Sequence, residues 1–116
     1  MPSGDTLEPD VSFISTRRRA AGPAPEFDKF LRLTPDLVIE VISPRGSRRD
    51  NVAKKAIYAR NGVDEYWLVD PRKREVTVLL RSGSAFGEPA VFRKGPVMSA
   101  ILPGLVLTIE KLFDDL

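Results

Sequence analysis

Residues 35–44 read Pro35-Asp36-Leu37-Val38-Ile39-Glu40-Val41-Ile42-Ser43-Pro44, a short, nearly all-apolar run rich in β-branched side chains and framed by prolines. Length and β-branching together predict a strand. The apolar character is continuous rather than alternating, which predicts cover on both faces and a central place in a sheet. One residue breaks the run. Glu40 has only apolar neighbours, and a carboxylate there is costly unless something pairs with it. A metal ion, a lysine or a catalytic role would each resolve that cost, and so would an ordinary ion pair with an arginine at the edge of the core. Asp36 lies four positions earlier and shares the face of Glu40 if the strand is regular. At ~3.3 Å per residue the two are roughly 13 Å apart, too far to share one ion. Asp36 therefore opens the strand or serves something else.

The segments on either side supply a frame for that strand. Ser47 and Asp50 resemble a capping box, and Val52, Ala53, Ala56, Ile57 and Ala59 recur at helical period. A helix over Asp50–Arg60 is predicted, stopped at Gly62. Asp50, Lys54 and Tyr58 follow one another at i, i+4 spacing and form a polar ridge beside the apolar stripe. Lys55 borders the stripe on its other side, and periodicity does not choose between the two lysines as a partner for Glu40. Glu65–Asp70 is a second strand closed by Pro71, with Tyr66 and Leu68 on one face and Trp67 and Val69 on the other. Arg72-Lys73-Arg74 turns the chain into Glu75–Arg81, with Val76, Val78 and Leu80 on one face. Short strands follow at Glu88–Arg93 and Val97–Ile101, then a turn at Pro103-Gly104 and a last helix over Ile109–Leu116. Upstream, Pro9–Ser15 reads as a strand, and Thr16–Thr34 is broken by Gly22-Pro23-Ala24-Pro25, with a short helical turn over Glu26–Leu33. Strand, helix, strand in this order favours a parallel pair joined by a right-handed crossover. The fold class is α/β (α+β), a mixed β-sheet with a crossover helix. Phe13, Tyr66 and Trp67 are assigned to core packing.

Composition removes whole classes of chemistry. The 116 residues contain no Cys and no His. Disulfides, thiolate zinc sites, cysteine nucleophiles and histidine bases are excluded within this chain. Carboxylates, Lys, Arg, Tyr, hydroxyls or a hard metal ion remain. Lys and Arg number 18 against 16 Asp and Glu, a net charge of +2. That excess is too small to establish nucleic-acid binding; the clusters Arg17–Arg19, Arg45 with Arg48-Arg49, and Arg72–Arg74 are more suggestive. No apolar run approaches the ~20 residues that span a bilayer, and the first ten residues are polar. A cytoplasmic protein with no membrane partner is expected, with a lead-in over 1–8 and one domain over 9–116.

Asp10 follows a proline and opens the first strand. Alone that is a weak signal. It gains meaning if its strand lies beside that of Glu40, because two carboxylates from neighbouring strands can hold Mg²⁺.

Taken together, Pro35–Pro44, then Asp50, Lys54 and Tyr58, then Gly62-Val63-Asp64-Glu65-Tyr66-Trp67-Leu68-Val69-Asp70-Pro71, resemble the Uma-type endonuclease family, placed in the PD-(D/E)XK restriction endonuclease-like superfamily. Order and spacing match from about Glu8 onward, and Leu102-Pro103-Gly104-Leu105 and Leu112-Phe113 resemble the family's end. The resemblance implies a sheet carrying a Mg²⁺ or Mn²⁺ site for phosphodiester hydrolysis in DNA. It makes Asp10 the first metal ligand and Glu40 the second, with the Val41 carbonyl near the same ion. The lysine expected two residues after Glu40 is replaced by Ile42, and Lys54 fits the family's habit of supplying it from the next helix. Asp36, Asp50 and Tyr58 are supporting residues in this scheme, and Arg45, Arg48 and Arg49 are phosphate contacts. Family members carry a helix and a strand ahead of the Pro-Asp strand, whereas eight residues precede it here. The expectations that follow are an N-terminally shortened fold, a nuclease that is either active or inactive in this shortened form, and an exposed sheet edge that pairs copies into a homodimer or larger assembly. A non-catalytic nucleic-acid-binding or protein-interaction module on the same fold is the alternative.

Overall fold

A computed structural model describes residues 11–14, 34–42 and 48–114, with backbone alone for 48–52. The expected lead-in, the basic run Arg17–Arg19, the helical turn over Glu26–Leu33 and the Ser47 cap lie outside the described residues. The elements in chain order are β1 (Val11–Phe13), β2 (Leu37–Val41), α1 (Arg48–Arg60), β3 (Glu65–Asp70), β4 (Glu75–Ser82), β5 (Ala85–Phe86), β6 (Ala90–Phe92), β7 (Pro96–Met98), β8 (Val106–Thr108) and α2 (Ile109–Asp114).

The apolar run becomes β2, inside the sheet. On one side β1 pairs with it antiparallel, Val11 opposite Ile39; on the other β3 runs parallel to it, Glu40 level with Leu68. The parallel pair spanned by α1 is the expected crossover unit. The sheet order is β1-β2-β3-β4-β5, and β4 is long enough to fork. Its first half takes β6 as a second partner and its last residues take β5.

Each face of the sheet has its own cover. Leu37, Ile39, Trp67, Val69, Val76 and Val78 pack under β7, through Val97, and under α2, through Ile109 and Phe113. The other face presents Val38, Tyr66 and Leu79 to Tyr58 and Val63 at the end of α1. Tyr66 with Leu68, and Trp67 with Val69, fall on opposite faces as alternation requires. Leu80 departs from its expected place with Val76 and Val78: it is exposed, because it stands near the end of β4.

The close of α1 is a Schellman motif. The Val63 amide donates to the Tyr58 carbonyl at 3.0 Å and the Gly62 amide to the Ala59 carbonyl at 3.2 Å. Gly62 has φ +89°, which a side chain would strain. Val63 and Tyr58 also touch within one core cluster, the apolar contact that accompanies this cap. At the β3–β4 turn, Asp70 Oδ1 accepts the amides of Arg72 and Lys73 at 3.0 and 3.1 Å, so this basic cluster is turn chemistry with exposed side chains.

The helix does not present the stripe expected of it. Ala53 and Ala56 are exposed, whereas Tyr58, assigned to the polar ridge, is fully buried together with Ala59. Ala53 and Ala56 lie on the flank of the helix turned to solvent. The tyrosine ring supplies the apolar area and turns only its hydroxyl toward a polar partner.

Candidate active site

Alternation along β2 sends Leu37 and Ile39 to one core and Val38 and Glu40 to the face under α1. Glu40 thus sits near the carboxyl end of a parallel strand, beneath a helix, with its side chain 8% exposed. Lys54 and Tyr58 are one helical turn apart and project from one side of α1. Lys54 Nζ donates to Glu40 Oε2 at 3.1 Å, and Tyr58 Oη donates to Oε1 at 2.7 Å. Each carboxylate oxygen therefore has its own donor. The Tyr58 bond is buried, while Lys54 keeps 36% of its side chain in solvent. The cation marks where the site meets water.

The energetics follow from that division. A carboxylate taken out of water loses several kcal/mol of hydration, and one surface ion pair would not offset it. A buried hydroxyl donor plus an ammonium at close range can, since hydrogen bonds to a charged group contribute roughly 1.5–3 kcal/mol. Tyr58 is itself held in place. Its ring meets Tyr66 edge-on at 5.1 Å between centroids, and Tyr66 meets Phe86 at 5.7 Å.

Other expected site residues are distributed unevenly. Asp36 is buried at the opposite end of β2, where its amide donates to the Phe13 carbonyl at 2.8 Å and its carbonyl accepts from the amides of Asp64 and Glu65 at 3.0 Å each. It ties three strands together where β2 begins. Val41 ends β2 and is exposed. Lys55 lies on the next flank of α1, away from Glu40's two donors. Asp50, Arg48 and Arg49 fall in the first turn of α1, where only backbone is described. Asp10 and Arg45 lie outside the described residues; the chain neighbour of Asp10, Val11, is paired with Ile39, the neighbour of Glu40.

A second buried carboxylate carries no expectation from the sequence. Glu65 is fully buried on the Trp67 face of β3. Its Oε2 accepts from Trp67 Nε1 at 2.7 Å, and its Oε1 accepts from Ser99 Oγ at 2.7 Å and from the amides of Ala100 and Ile101 at 3.1 and 3.3 Å. Ser99 Oγ in turn accepts the amides of Ile101 and Leu102. The carboxylate pins the β7–β8 connection to the sheet. It has no path to solvent and no vacant oxygen for a substrate, so its work is structural. Alternation places Glu65 on the face of Trp67 and Val69, but it stands at a strand start, without the apolar neighbours on both sides that single out Glu40.

The sequence matches the model of the Uma2 family, described as "Putative restriction endonuclease", over residues 1–110. A similar solved structure is the crystal structure of a putative nuclease belonging to DUF820 from Anabaena variabilis ATCC 29413, 26% identical, with a TM-score of 0.58. The match covers 70% of this chain and 45% of that one, so the chain spans less than half the length of the protein it resembles. No curated protein matches the chain.

Proposed function

We propose that this chain, which belongs to the Uma2 putative restriction endonuclease family, hydrolyses phosphodiester bonds in DNA with the help of a divalent metal ion. The observation that carries the proposal is the buried Glu40 held between Lys54 and Tyr58. An acid at the end of a parallel strand with a half-exposed lysine beside it suits charge developing on a phosphate.

The donor set fits a hard cation. Mg²⁺ is held by one or two carboxylates, with waters and substrate phosphate completing the shell. Among the described residues no group of three or more acids, His or Cys gathers around one point. Glu40 is the described carboxylate suited to the ion, and Asp10, next to the strand paired with β2, is the second in this proposal. When bound, Mg²⁺ or Mn²⁺ supplies Lewis acidity and a water of lowered pKa. The chain's own residues prepare the place. Tyr58 holds Oε1 and fixes the carboxylate rotamer. Lys54 brings a positive charge to the solvent edge, where it stabilises negative charge on the attacked phosphate. Arg45, Arg48 and Arg49 contact neighbouring phosphates, which positions DNA without reading its sequence.

The test is Mg²⁺-dependent nicking of supercoiled plasmid by the protein and by its Glu40→Gln and Lys54→Ala variants. Nicking abolished by Glu40→Gln and cut at least tenfold by Lys54→Ala is expected. Equal nicking by all three, or none by the unaltered chain, overturns the proposal. One observation favours a second function, a binding module without cleavage: both oxygens of Glu40 already have protein donors. That alternative requires DNA binding that weakens with salt and survives Glu40→Gln. Cleavage lost on chelation and restored by Mg²⁺ eliminates it.

A further inference from the structure

Strand register carries the level of Glu40 across three more strands. Glu40 stands beside Leu68, Leu68 beside Thr77, and Thr77 beside Val91. Residues level across a sheet share a face, so this row lies on the α1 side. The row before it, Val38, Tyr66 and Leu79, is buried against the end of α1. The Glu40 row is open beyond the carboxylate: Leu68 and Thr77 are half-buried and Val91 is exposed. Three strand spacings of ~4.8 Å make this floor roughly 14 Å long. Its charges are sorted by depth. Glu75, two residues from Thr77 and on its face, has a side chain only 13% exposed. Arg93, two residues past Val91, donates Nε to Glu75 Oε2 at 3.1 Å and keeps 72% of its side chain in solvent. That bond uses one corner of the guanidinium and leaves both terminal nitrogens facing out. Asp70, level with Glu75, is half-buried and takes the amides of Arg72 and Lys73, whose side chains are exposed. Neither of those two cations has a carboxylate partner among the described residues. The acids on this face are sunk toward the sheet. Solvent meets Lys54 at one end of the floor and Arg93, with the Arg72-Lys73 turn, at the other.

We infer that this floor seats the backbone of a DNA duplex, one strand running from Glu40 and Lys54 over Leu68, Thr77 and Val91 to phosphate contacts at Arg93, Arg72 and Lys73. The inference rests on the nuclease reading above and gives the same substrate a second set of contacts, away from the first turn of α1. Exposed cations above sunken acids select an anion. The row itself has no aromatic ring, and Tyr58 and Tyr66 on this face are fully buried. An open strand would find nothing here to stack its bases on. A duplex keeps its bases paired and offers phosphates, which cations position without reading sequence. About four nucleotides of one duplex strand, at ~3.4 Å of helix axis each, span the floor. Glu75 holds the Arg93 guanidinium by Nε, so the terminal nitrogens are aimed before a phosphate arrives. Because the row is fixed by strand pairing, a backbone that reaches Arg93 has a defined position with respect to Glu40.

Fluorescence anisotropy of a labelled blunt duplex in EDTA tests this without any cleavage. Failure of plasmid nicking therefore leaves the readout intact. Arg72→Ala/Lys73→Ala/Arg93→Ala is expected to raise Kd at least tenfold and to flatten the slope of log K against log salt by about 0.9 per cation removed. The turn survives the substitution, because Asp70 holds it by main-chain amides. Lys55→Ala removes a cation that faces the β4–β5 hairpin at the far end of β4, and is expected to leave Kd within about twofold. In the unaltered protein, saturating duplex is expected to shift the methyl resonances of Leu68, Thr77 and Val91. Duplex affinity unmoved by the triple substitution overturns the inference, and so do methyls that stay in place at saturation. Weakening by Lys55→Ala as large as that of the triple substitution overturns it as well, since that is a diffuse effect of net charge. If the triple substitution weakens binding to oligothymidylate or to phosphatidylserine vesicles and spares the duplex, the face belongs to an open strand or a lipid surface instead.

Discussion

Two buried glutamates in one small chain have opposite fates, and the difference lies in what surrounds their oxygens. Glu40 faces a hydroxyl and a half-exposed ammonium, and so keeps a route to water. Glu65 is enclosed by an indole N–H, a serine hydroxyl and main-chain amides, all fixed by packing. Glu65→Gln sets an amide N–H₂ against donors that need an acceptor. A loss of about 2–3 kcal/mol is expected, read from the urea unfolding midpoint; a loss below about 0.5 kcal/mol would contradict the assignment. Tyr58→Phe removes the donor to Glu40 Oε1 while keeping the ring against Tyr66. It is expected to cost about 1–2 kcal/mol in the same assay, with far-UV circular dichroism unchanged. Neither outcome was legible in the residues alone. Glu40 stood out because every neighbour is apolar, whereas Glu65 stands at a strand start, where a charge attracts no notice until the strand's faces are known.

Among the elements, α2 is short and depends on reciprocal bonds with the chain before β7. The Ile109 amide donates to the Gly95 carbonyl at 2.9 Å, and the Gly95 amide donates to the Glu110 carboxylate at 3.1 and 3.0 Å. The Gly95 amide holds the Glu110 carboxyl below its ordinary value of 4.5. A carboxyl whose folded-state pKa is depressed adds stability that is present above the unfolded value and disappears as pH falls through the folded one. The stability difference between the unaltered protein and Glu110→Gln should therefore be present at neutral pH and vanish below the folded-state pKa. Thermal melts at a series of pH values check this, and a difference that grows on acidification would refute it. The helix α1 teaches a different lesson. Its existence and its stop at Gly62 were readable from spacing and glycine chemistry. Its buried face was not, because small alanines satisfy a periodicity count as well as large residues do, while burial went to the tyrosine that fills space.

At the scale of the whole molecule, three strands, β2, β3 and β4, have partners along both edges or cover on both faces, while β1 and β5 lie at the ends of the sheet order. Backbone amides of β2, β3 and β4 should exchange with solvent most slowly, and those of β1 and β5 among the fastest of the sheet. Hydrogen exchange followed by mass spectrometry or NMR decides it, and β1 amides as protected as those of β3 would contradict it. The sequence by itself determined the mixed sheet, the parallel pair with its crossover helix, the central place of residues 37–41 and the family, because each rests on local pattern: β-branching, period, proline and glycine positions, and motif spacing. The choice of Lys54 over Lys55 came from the family resemblance, since helical period permits both. Only the tertiary structure decided that each Glu40 oxygen has its own donor, that Tyr58 is core and site at once, that Glu65 anchors a distant loop, and that Lys55 lies on another flank of α1. Those outcomes depend on the angle at which a helix lies on a twisted sheet and on which side chain is large enough to cross the gap, and neither quantity is carried by any stretch of residues read along the chain.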